Sequence, residues 1–180
     1  MRSLLFFLFL FQVETILGSN RSFLLKSPNQ HIELRIELDK NITWNVSLDL
    51  SPVIESARIS MTLGIGEILG LNPRLKDEKL ENVYKEIHVQ IPNKDSHFPS
   101  QYSELTLTFR KNYQIVFRAY NDGIVYRFAY QKDEQIDIQD EEMTLTFSEG
   151  TKSCFPQEES LYSHNERLYV NKAISEFNKG

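Results

Sequence analysis

The sequence predicts an all-β protein built as an antiparallel β-sandwich. Apolar and polar residues alternate with the two-residue period of a strand over most of the chain, and polar turn signals interrupt these runs at short intervals. No segment of ten or more residues keeps a clean helical period. Twelve Phe, eight Tyr and one Trp supply the apolar surface of a packed core. The 180 residues leave room for one domain, or for one domain and part of another.

The amino terminus has the build of a secretory signal peptide. Arg2 precedes the ten-residue apolar run LLFFLFLFQV, and the following ETILGS ends in small residues. The run is too short to span a bilayer stably, and no cysteine follows it to carry a lipid. We therefore predict a signal peptide over residues 1–19, cleaved near Gly18 or Ser19, and a sandwich domain over residues 20–180. The mature protein is expected to be secreted or periplasmic, without a membrane anchor.

Five runs along the chain place their apolar residues on a single strand face. In chain order they are HIELRIEL (Ile32, Leu34, Ile36, Leu38), TWNVSLD (Trp44, Val46, Leu48), RISMTL (Ile59, Met61, Leu63), LTLTF (Leu105, Leu107, Phe109) and MTLTF (Met143, Leu145, Phe147). The turn signals SPN, DKN and SEG lie between or beside them. These runs are the predicted half-buried strands of the sandwich.

The stretch FRAYNDGIVYRFAY predicts two further strands joined by a tight turn. QIVFRAY and IVYRFAY are apolar on both faces, which is typical of central strands. Asp122-Gly123 is expected to supply the positive φ values of a two-residue hairpin turn. Arg118 and Arg127 lie in these apolar strands and need acidic partners, or stacking on Tyr120 and Tyr126. The residues alone therefore indicate a structural hairpin, not a catalytic loop.

Three regions give a weaker signal. DEKLENVYKEIHV has apolar residues at helical spacing and predicts one short helix or an irregular crossover. Residues 91–102, with two prolines, predict a loop. GIGEILG at residues 64–70 predicts a hairpin and a strand edge, because no helix signature follows it as a dinucleotide site would require.

Charge and cysteine content exclude several classes of function. The net charge is −5 with a pI near 5.4, and no Lys/Arg cluster is present, so nucleic acid is excluded as a partner. Cys154 is alone, which excludes an internal disulfide and a Cys/His metal cluster. We expect Cys154 to be a small, half-buried apolar residue.

The segment SHNER carries the clearest titratable cluster. His164 and Glu166 are two residues apart, with Glu158 and Glu159 upstream. Carboxylates beside an imidazole can bind a hard cation or transfer protons. From the residues alone, a solvated acidic loop is the favoured interpretation.

FRAYNDGIVYRFAY resembles a stretch of the N-terminal domain of glycoside hydrolase family 97, which comprises secreted bacterial α-glucosidases and α-galactosidases. SPNQHIELRIEL, ITWNVSLD and ESLYSHNERLY support the resemblance, which covers most of residues 23–177. The chain departs from the family at DLSPV, where a glycine-containing turn is common. ARISMTL also differs from the small-Leu-Gly-Leu pattern of the family's third strand.

This resemblance implies a galactose-mutarotase-like super-sandwich that packs against a catalytic (β/α)₈ barrel in the same polypeptide. It implies that the sandwich is incomplete here, because the chain ends before the barrel. In such enzymes the barrel supplies the catalytic carboxylates, so no catalytic residue is assigned, and the fragment alone is expected to be inactive. The resemblance implies that the N-terminal domain forms one wall of the pocket that binds an α-glucoside or α-galactoside.

The resemblance also implies a calcium ion near the reacting sugar, to which the N-terminal domain contributes one glutamate. Glu166, followed by Tyr169 in a Glu-x-x-Tyr pattern, matches that position. Glu166 is therefore the predicted metal ligand, and calcium is expected only together with the catalytic domain.

Two other functions stay open at this stage. One is a free-standing secreted β-sandwich that binds carbohydrate through exposed aromatic residues such as Trp44, Tyr162 and Tyr169. The other is an exported structural domain that has no ligand.

Overall fold

A computed structural model describes residues 21–91, 95–131, 135–156, 158, 160, 162, 164 and 166–177. These residues form twelve strands in three antiparallel sheets and one short 3₁₀ turn. No helix in the described ranges has the length and apolar character needed to cross a membrane. The predicted signal peptide, residues 1–19, lies outside the described residues.

The two large sheets follow chain order with a few exceptions. The first contains β1 (Arg21–Lys26), β2 (Ile32–Leu38), β3 (Ile42–Leu48), β4 (Ser51–Leu63), β5 (Ile68–Leu69) and β10 (Ile138–Thr146). The second contains β6 (Leu75–His88), β7 (His97–Phe109), β8 (Tyr113–Ala119) and β9 (Ile124–Tyr130). β11 (Lys152–Pro156) pairs with β12 (Tyr169–Ala173), and the 3₁₀ turn Ile174–Glu176 follows.

The first two sheets pack face to face, so the predicted antiparallel β-sandwich is confirmed. β1 and β2 lie against β7 and β8, and one cluster of buried side chains draws on both sheets. The alternating faces predicted for β2 and the carboxyl half of β7 are buried as expected. The face of β3 is confirmed at Trp44 and Val46, whereas Leu48 is 45% exposed.

The prediction of a helix or crossover at DEKLENVYKEIHV is wrong, because this segment lies in β6. β6 pairs with β7 along nearly its whole length, from Leu75↔Phe109 to His88↔His97. Strand pairing over this length outweighs the helix preference of Lys, Glu and Leu. The pairing also corrects the predicted loop at residues 91–102, since β7 begins at His97.

β1 was not predicted, and SPN proves to be the turn between β1 and β2. The Ser27 hydroxyl donates to Asn29 Oδ1 at 2.7 Å and accepts from the Ile32 amide at 2.9 Å. Gln30 has a φ of 66° in this turn. The side chain of a buried serine thus fixes the turn, which alternation of apolar residues does not report.

β8 is a central strand as predicted, but β9 is not. Ile115, Val116 and Phe117 are consecutive and buried, so both faces of β8 are covered. β9 pairs only with β8 among the described strands and forms the edge of its sheet. Its alternate residues Val125 and Arg127 are exposed.

The β8–β9 turn differs from the expectation, whereas positive φ occurs without glycine in the β3–β4 turn. Gly123 does not have a positive φ, and the turn closes through a hydrogen bond from the Tyr120 amide to the Gly123 carbonyl at 2.8 Å. The β3–β4 turn instead uses positive φ at Asp49 (49°) and Leu50 (67°). This turn is the DLSPV departure from the family pattern, and Leu50 holds a conformation that favours glycine.

The end of the six-stranded sheet at β10 is uncovered. β10 pairs with β4, yet Ile138 is 55% exposed and Met143 is 50% exposed. The predicted buried face of MTLTF is therefore wrong at Met143, because the four-stranded sheet ends at β9 and leaves that part of the larger sheet open.

Cys154 is exposed, which corrects the expectation of half burial.

Candidate functional site

The predicted metal ligand lies next to the β11–β12 ribbon, which is separate from the two large sheets. The Ile174 amide donates to the Thr151 carbonyl at 2.9 Å, and the rings of Phe155 and Phe177 lie 4.5 Å apart. These contacts hold together the two ends of the segment that contains SHNER.

Glu166 lies three residues before β12 and is exposed. Leu168 and Tyr169 beside it are 91% and 70% exposed, and His164 is also exposed. A solvent-facing carboxylate is free to meet a cation or another protein surface. The Glu166 side chain is therefore accessible to a group from outside the described residues.

Glu158 occupies a different environment, which the sequence does not reveal. Both of its carboxylate oxygens are shielded from solvent and make no hydrogen bond with described residues. Arg167 Nε lies 3.4 Å from Glu158 Oε2, close enough for an ion pair but without hydrogen-bond geometry. Because a buried carboxylate without hydrogen bonds is costly, Glu158 does not belong to a freely solvated acidic loop.

The described residues do not form a complete metal centre. No group of three or more His, Cys, Asp or Glu side chains among them converges on one point. Calcium takes six to eight oxygen ligands. Of that set, Glu166 is one exposed candidate; the carboxylate oxygens of Glu158 are shielded from solvent, and one of them faces Arg167.

The hairpin of β8 and β9 is structural at Arg118. Its Nε donates to Glu104 Oε2 at 2.6 Å, and its guanidinium lies 4.6 Å from the centre of the Tyr102 ring. The hydrogen bond that Arg118 donates to Glu104 raises the pKa of Arg118. The predicted acidic partner is therefore present as Glu104, and the ring next to the guanidinium is that of Tyr102, which was not predicted from the sequence. Arg127 is instead exposed on the edge strand.

Trp44, one of the aromatic residues considered for carbohydrate binding, does not face solvent. It is 6% exposed, and its ring lies 6.4 Å from that of Tyr126. Tyr162 and Tyr169 are 99% and 70% exposed. Burial therefore excludes Trp44 as a stacking surface and leaves the two tyrosines available.

A cleft with a volume of about 800 Å³ is lined by residues of the β4–β5 turn and of the β7–β8 turn. Tyr113 lines it and stacks on Phe109 at 4.6 Å. The Gly70 amide, where φ is +90°, donates to the Tyr113 hydroxyl at 3.3 Å. Burial raises the pKa of Tyr113 to about 12. The hydroxyl therefore stays protonated at physiological pH and serves as a packing and hydrogen-bonding group.

Stability is expected to fall as pH rises from 10 to about 12 because of Tyr113. In this window the unfolded chain loses the tyrosine proton while the folded chain retains it, so the contribution is full below pH 10 and disappears above the folded pKa. Urea midpoints measured across this range should fall less steeply for Tyr113→Phe than for the unaltered chain. Equal slopes for the two chains would contradict the assignment.

Comparison with known proteins agrees with this architecture. The glycosyl-hydrolase 97 N-terminal family matches residues 25–180. The chain belongs to this family, as the resemblance in FRAYNDGIVYRFAY indicated.

The relatives are enzymes several times longer. A retaining α-galactosidase from Bacteroides thetaiotaomicron is 27% identical over 191 aligned residues, covering 99% of this chain and 28% of that protein. A family 97 enzyme from Pseudoalteromonas sp. strain K8, solved with acarbose, has a TM-score of 0.71 at 16% identity, over 83% of this chain and 24% of that chain. A β-arabinopyranosidase has a TM-score of 0.67 at 16% identity, over 82% and 26%.

The two structural similarities lie below 25% identity and support the fold alone. The chain spans about a quarter of the length of the relatives it matches.

Proposed function

We propose that this chain is the N-terminal β-sandwich of an exported α-glycosidase that acts on α-glucosides or α-galactosides. Its role is to brace a (β/α)₈ catalytic domain in the same polypeptide and to contribute to the sugar pocket and the calcium site. The observation that carries the proposal is the family match over residues 25–180, together with alignment to about a quarter of a retaining α-galactosidase.

The uncovered end of the sandwich supports the bracing role. β9 is an edge strand whose inner residues Tyr126 and Phe128 are half-buried. Beyond it, Met143 of β10 lies on the inner side of the larger sheet and is 50% exposed. An open edge beside apolar surface is the place where further strands of the same polypeptide would pair and cover the sheet.

The sandwich leaves the chemical step to the catalytic domain. Glycosidases use two carboxyl groups held across the scissile bond at a defined separation. Neither the sequence pattern nor the geometry of the described residues assigns such a pair in this chain. We therefore propose that the fragment alone does not hydrolyse glycosides.

Glu166 is proposed as this chain's ligand to the calcium ion, with the remaining ligands supplied by the catalytic domain. Its exposure leaves the side chain accessible to a cation held between two domains. Bound calcium would act as a Lewis acid that orients the substrate. Export is proposed from the features of residues 1–19.

Activity assays on two polypeptides test the proposal. The 180-residue chain is expected to release no nitrophenol from p-nitrophenyl α-galactoside or α-glucoside, whereas a polypeptide that also contains the catalytic barrel should turn over one of them. Glu166→Gln in the longer polypeptide should raise the calcium concentration needed for half-maximal activity, because one charged ligand is lost. Glu176→Gln is a control carboxylate change on the 3₁₀ turn.

Turnover by the 180-residue chain would contradict the proposal that the catalytic domain alone carries out the hydrolysis. An unchanged calcium requirement in the Glu166→Gln polypeptide would remove Glu166 from the metal site while leaving the remaining proposal intact.

A free-standing carbohydrate-binding module is the second candidate function. Tyr162 and Tyr169 favour it, because their side chains are exposed and a flat aromatic face can stack on a sugar ring. A pull-down with insoluble starch or galactan tests it, and binding should weaken in Tyr162→Ala and Tyr169→Ala. Retention that these changes do not alter would exclude the two tyrosines as the binding surface.

A further inference from the structure

A groove lined by polar and apolar side chains crosses the outer half of the β6–β7 hairpin, next to the β1–β2 and β8–β9 turns. Two clefts of about 260 Å³ and about 480 Å³ adjoin there, and Tyr84 and Gln101 line both. These two residues are directly paired across β6 and β7. We call this surface the amide groove; its defining residues are Gln30, Asn82, Tyr84, Gln101, Asn121 and Asp122.

The composition of the amide groove matches a neutral ligand that carries many hydroxyl groups. Four of its defining residues have side-chain amides, each with donor and acceptor atoms, and Asp122 adds a carboxylate. A hydroxyl group both donates and accepts, so such a mixture satisfies it. No Lys or Arg is among the described residues that line the two clefts, which disfavours phosphate, sulfate or carboxylate ligands.

Two of the amides are already oriented by hydrogen bonds within the protein. Asn121 Oδ1 accepts from the Asn29 amide at 2.9 Å, and Asn82 Oδ1 accepts from the Ser103 hydroxyl at 3.0 Å. In each case the NH₂ group is left to donate to a ligand. The Asn29–Asn121 bond also ties the β1–β2 turn to the β8–β9 turn, so the two walls of the groove are fixed relative to each other.

Tyr84 supplies an aromatic surface at the junction of the two clefts. Its side chain is 73% exposed even though it lies on a paired strand. Leaving a large ring in water forgoes the stabilisation that burial provides. A flat ring flanked by amides presents an apolar face with polar groups at its rim, which is the arrangement a pyranose can stack on and hydrogen-bond to.

The backbone around the groove is also preformed. Gln30 has a φ of 66°, a sparsely populated conformation for a residue other than glycine, and such conformations concentrate at binding and active sites. Because the turn is held by Ser27 and Asn29, ligand binding would not have to order it.

We propose that the amide groove is a binding site for a neutral oligosaccharide. Tyr84 stacks on one sugar ring, the NH₂ groups of Asn82 and Asn121 donate to its hydroxyls, and Asp122 accepts from them. The site lies on β6, β7 and two turns, and does not involve the segment that carries Glu166. The choice of a sugar as ligand rests on the proposed function, since the chain belongs to a glycosidase family.

Isothermal titration of the 180-residue chain with panose and with melibiose tests this site. At least one of the two sugars should bind saturably in the millimolar range. Tyr84→Ala should weaken binding about tenfold, as loss of a central aromatic contact does, and Asn121→Ala should also weaken it. Leu80→Ala is the matched control, because it removes a large apolar side chain that is 63% exposed on the same strand β6 and lines neither cleft; it should leave the affinity unchanged.

Three results would overturn the proposal: no saturable heat with either sugar, binding that Tyr84→Ala does not alter, or a loss in Leu80→Ala at least as great as that in Tyr84→Ala. Amide chemical shifts recorded in the same titrations locate the response independently, and shifts confined to residues outside the groove would also reject it. Because the glycosidase assays measure turnover in the longer polypeptide, failure of this site and failure of the proposed function are distinguishable.

Discussion

Phe117→Ala is expected to lower the free energy of unfolding by about 3–5 kcal/mol. Phe117 is fully buried on the central strand β8, is paired with Leu105 of β7 and Tyr126 of β9, and faces the core shared by the two sheets. Truncation removes the largest buried side chain of FRAYNDGIVYRFAY and leaves a cavity that the strands on both sides cannot close. Urea unfolding followed by tyrosine and tryptophan fluorescence measures the change.

Phe98→Ala is the matched control for this experiment. Phe98 lies on β7 in the outer half of the same sheet but is 42% exposed. Its truncation should cost no more than about 1 kcal/mol. Equal losses in the two variants would show that the core does not depend on the central strand.

Arg118→Met is expected to cost about 2 kcal/mol, because it leaves the Glu104 carboxylate largely buried without its partner. The side chains of Arg118 and Glu104 are only 27% and 16% exposed, and the pair is 2.6 Å apart. The cost is below that of a fully enclosed pair because some water reaches both groups. The double variant Arg118→Met, Glu104→Leu should be less destabilised than the sum of the single changes.

Arg58 and Glu142 provide a control of the same chemistry and distance. Their atoms also lie 2.6 Å apart, but the side chains are 45% and 50% exposed. Arg58→Met should therefore cost less than about 1 kcal/mol. If both arginine changes destabilise the protein equally, burial does not explain the importance of Arg118.

The strands that were predicted well are those with one buried and one exposed face. In β2 every second residue is apolar and buried. The two-residue period can therefore be read directly from the sequence, which is sufficient to assign this segment as a strand. β6 was misread because much of it projects beyond the core, so its apolar residues do not mark a face. Tyr84 is exposed, and only the long pairing with β7 makes the segment a strand.

Of the candidate sites, only the SHNER segment could be found from a local sequence pattern. The SHNER cluster was visible as a local pattern, and the exposure of Glu166 agrees with a residue available to a ligand. The environment of Glu158 was not predictable from a local pattern: its carboxylate oxygens are shielded, and Arg167, nine residues later, lies 3.4 Å from one of them. The amide groove could not be predicted from the sequence, because Asn82, Gln101 and Asn121 lie in three separate segments and do not form a sequence motif.

Alternation, turn residues and aromatic content by themselves determined that this chain is an antiparallel β-sandwich, and FRAYNDGIVYRFAY identified its family. These properties are local, since two-residue periodicity reports which face of a strand meets the core. Tertiary structure alone decided that β8 is central and β9 is an edge, that Arg118 pairs with Glu104, and that Met143 is left uncovered. The order of the strands and the burial of each sheet face depend on which distant segments pair. The free energy of that pairing depends on both partners, so no single stretch of the sequence determines it.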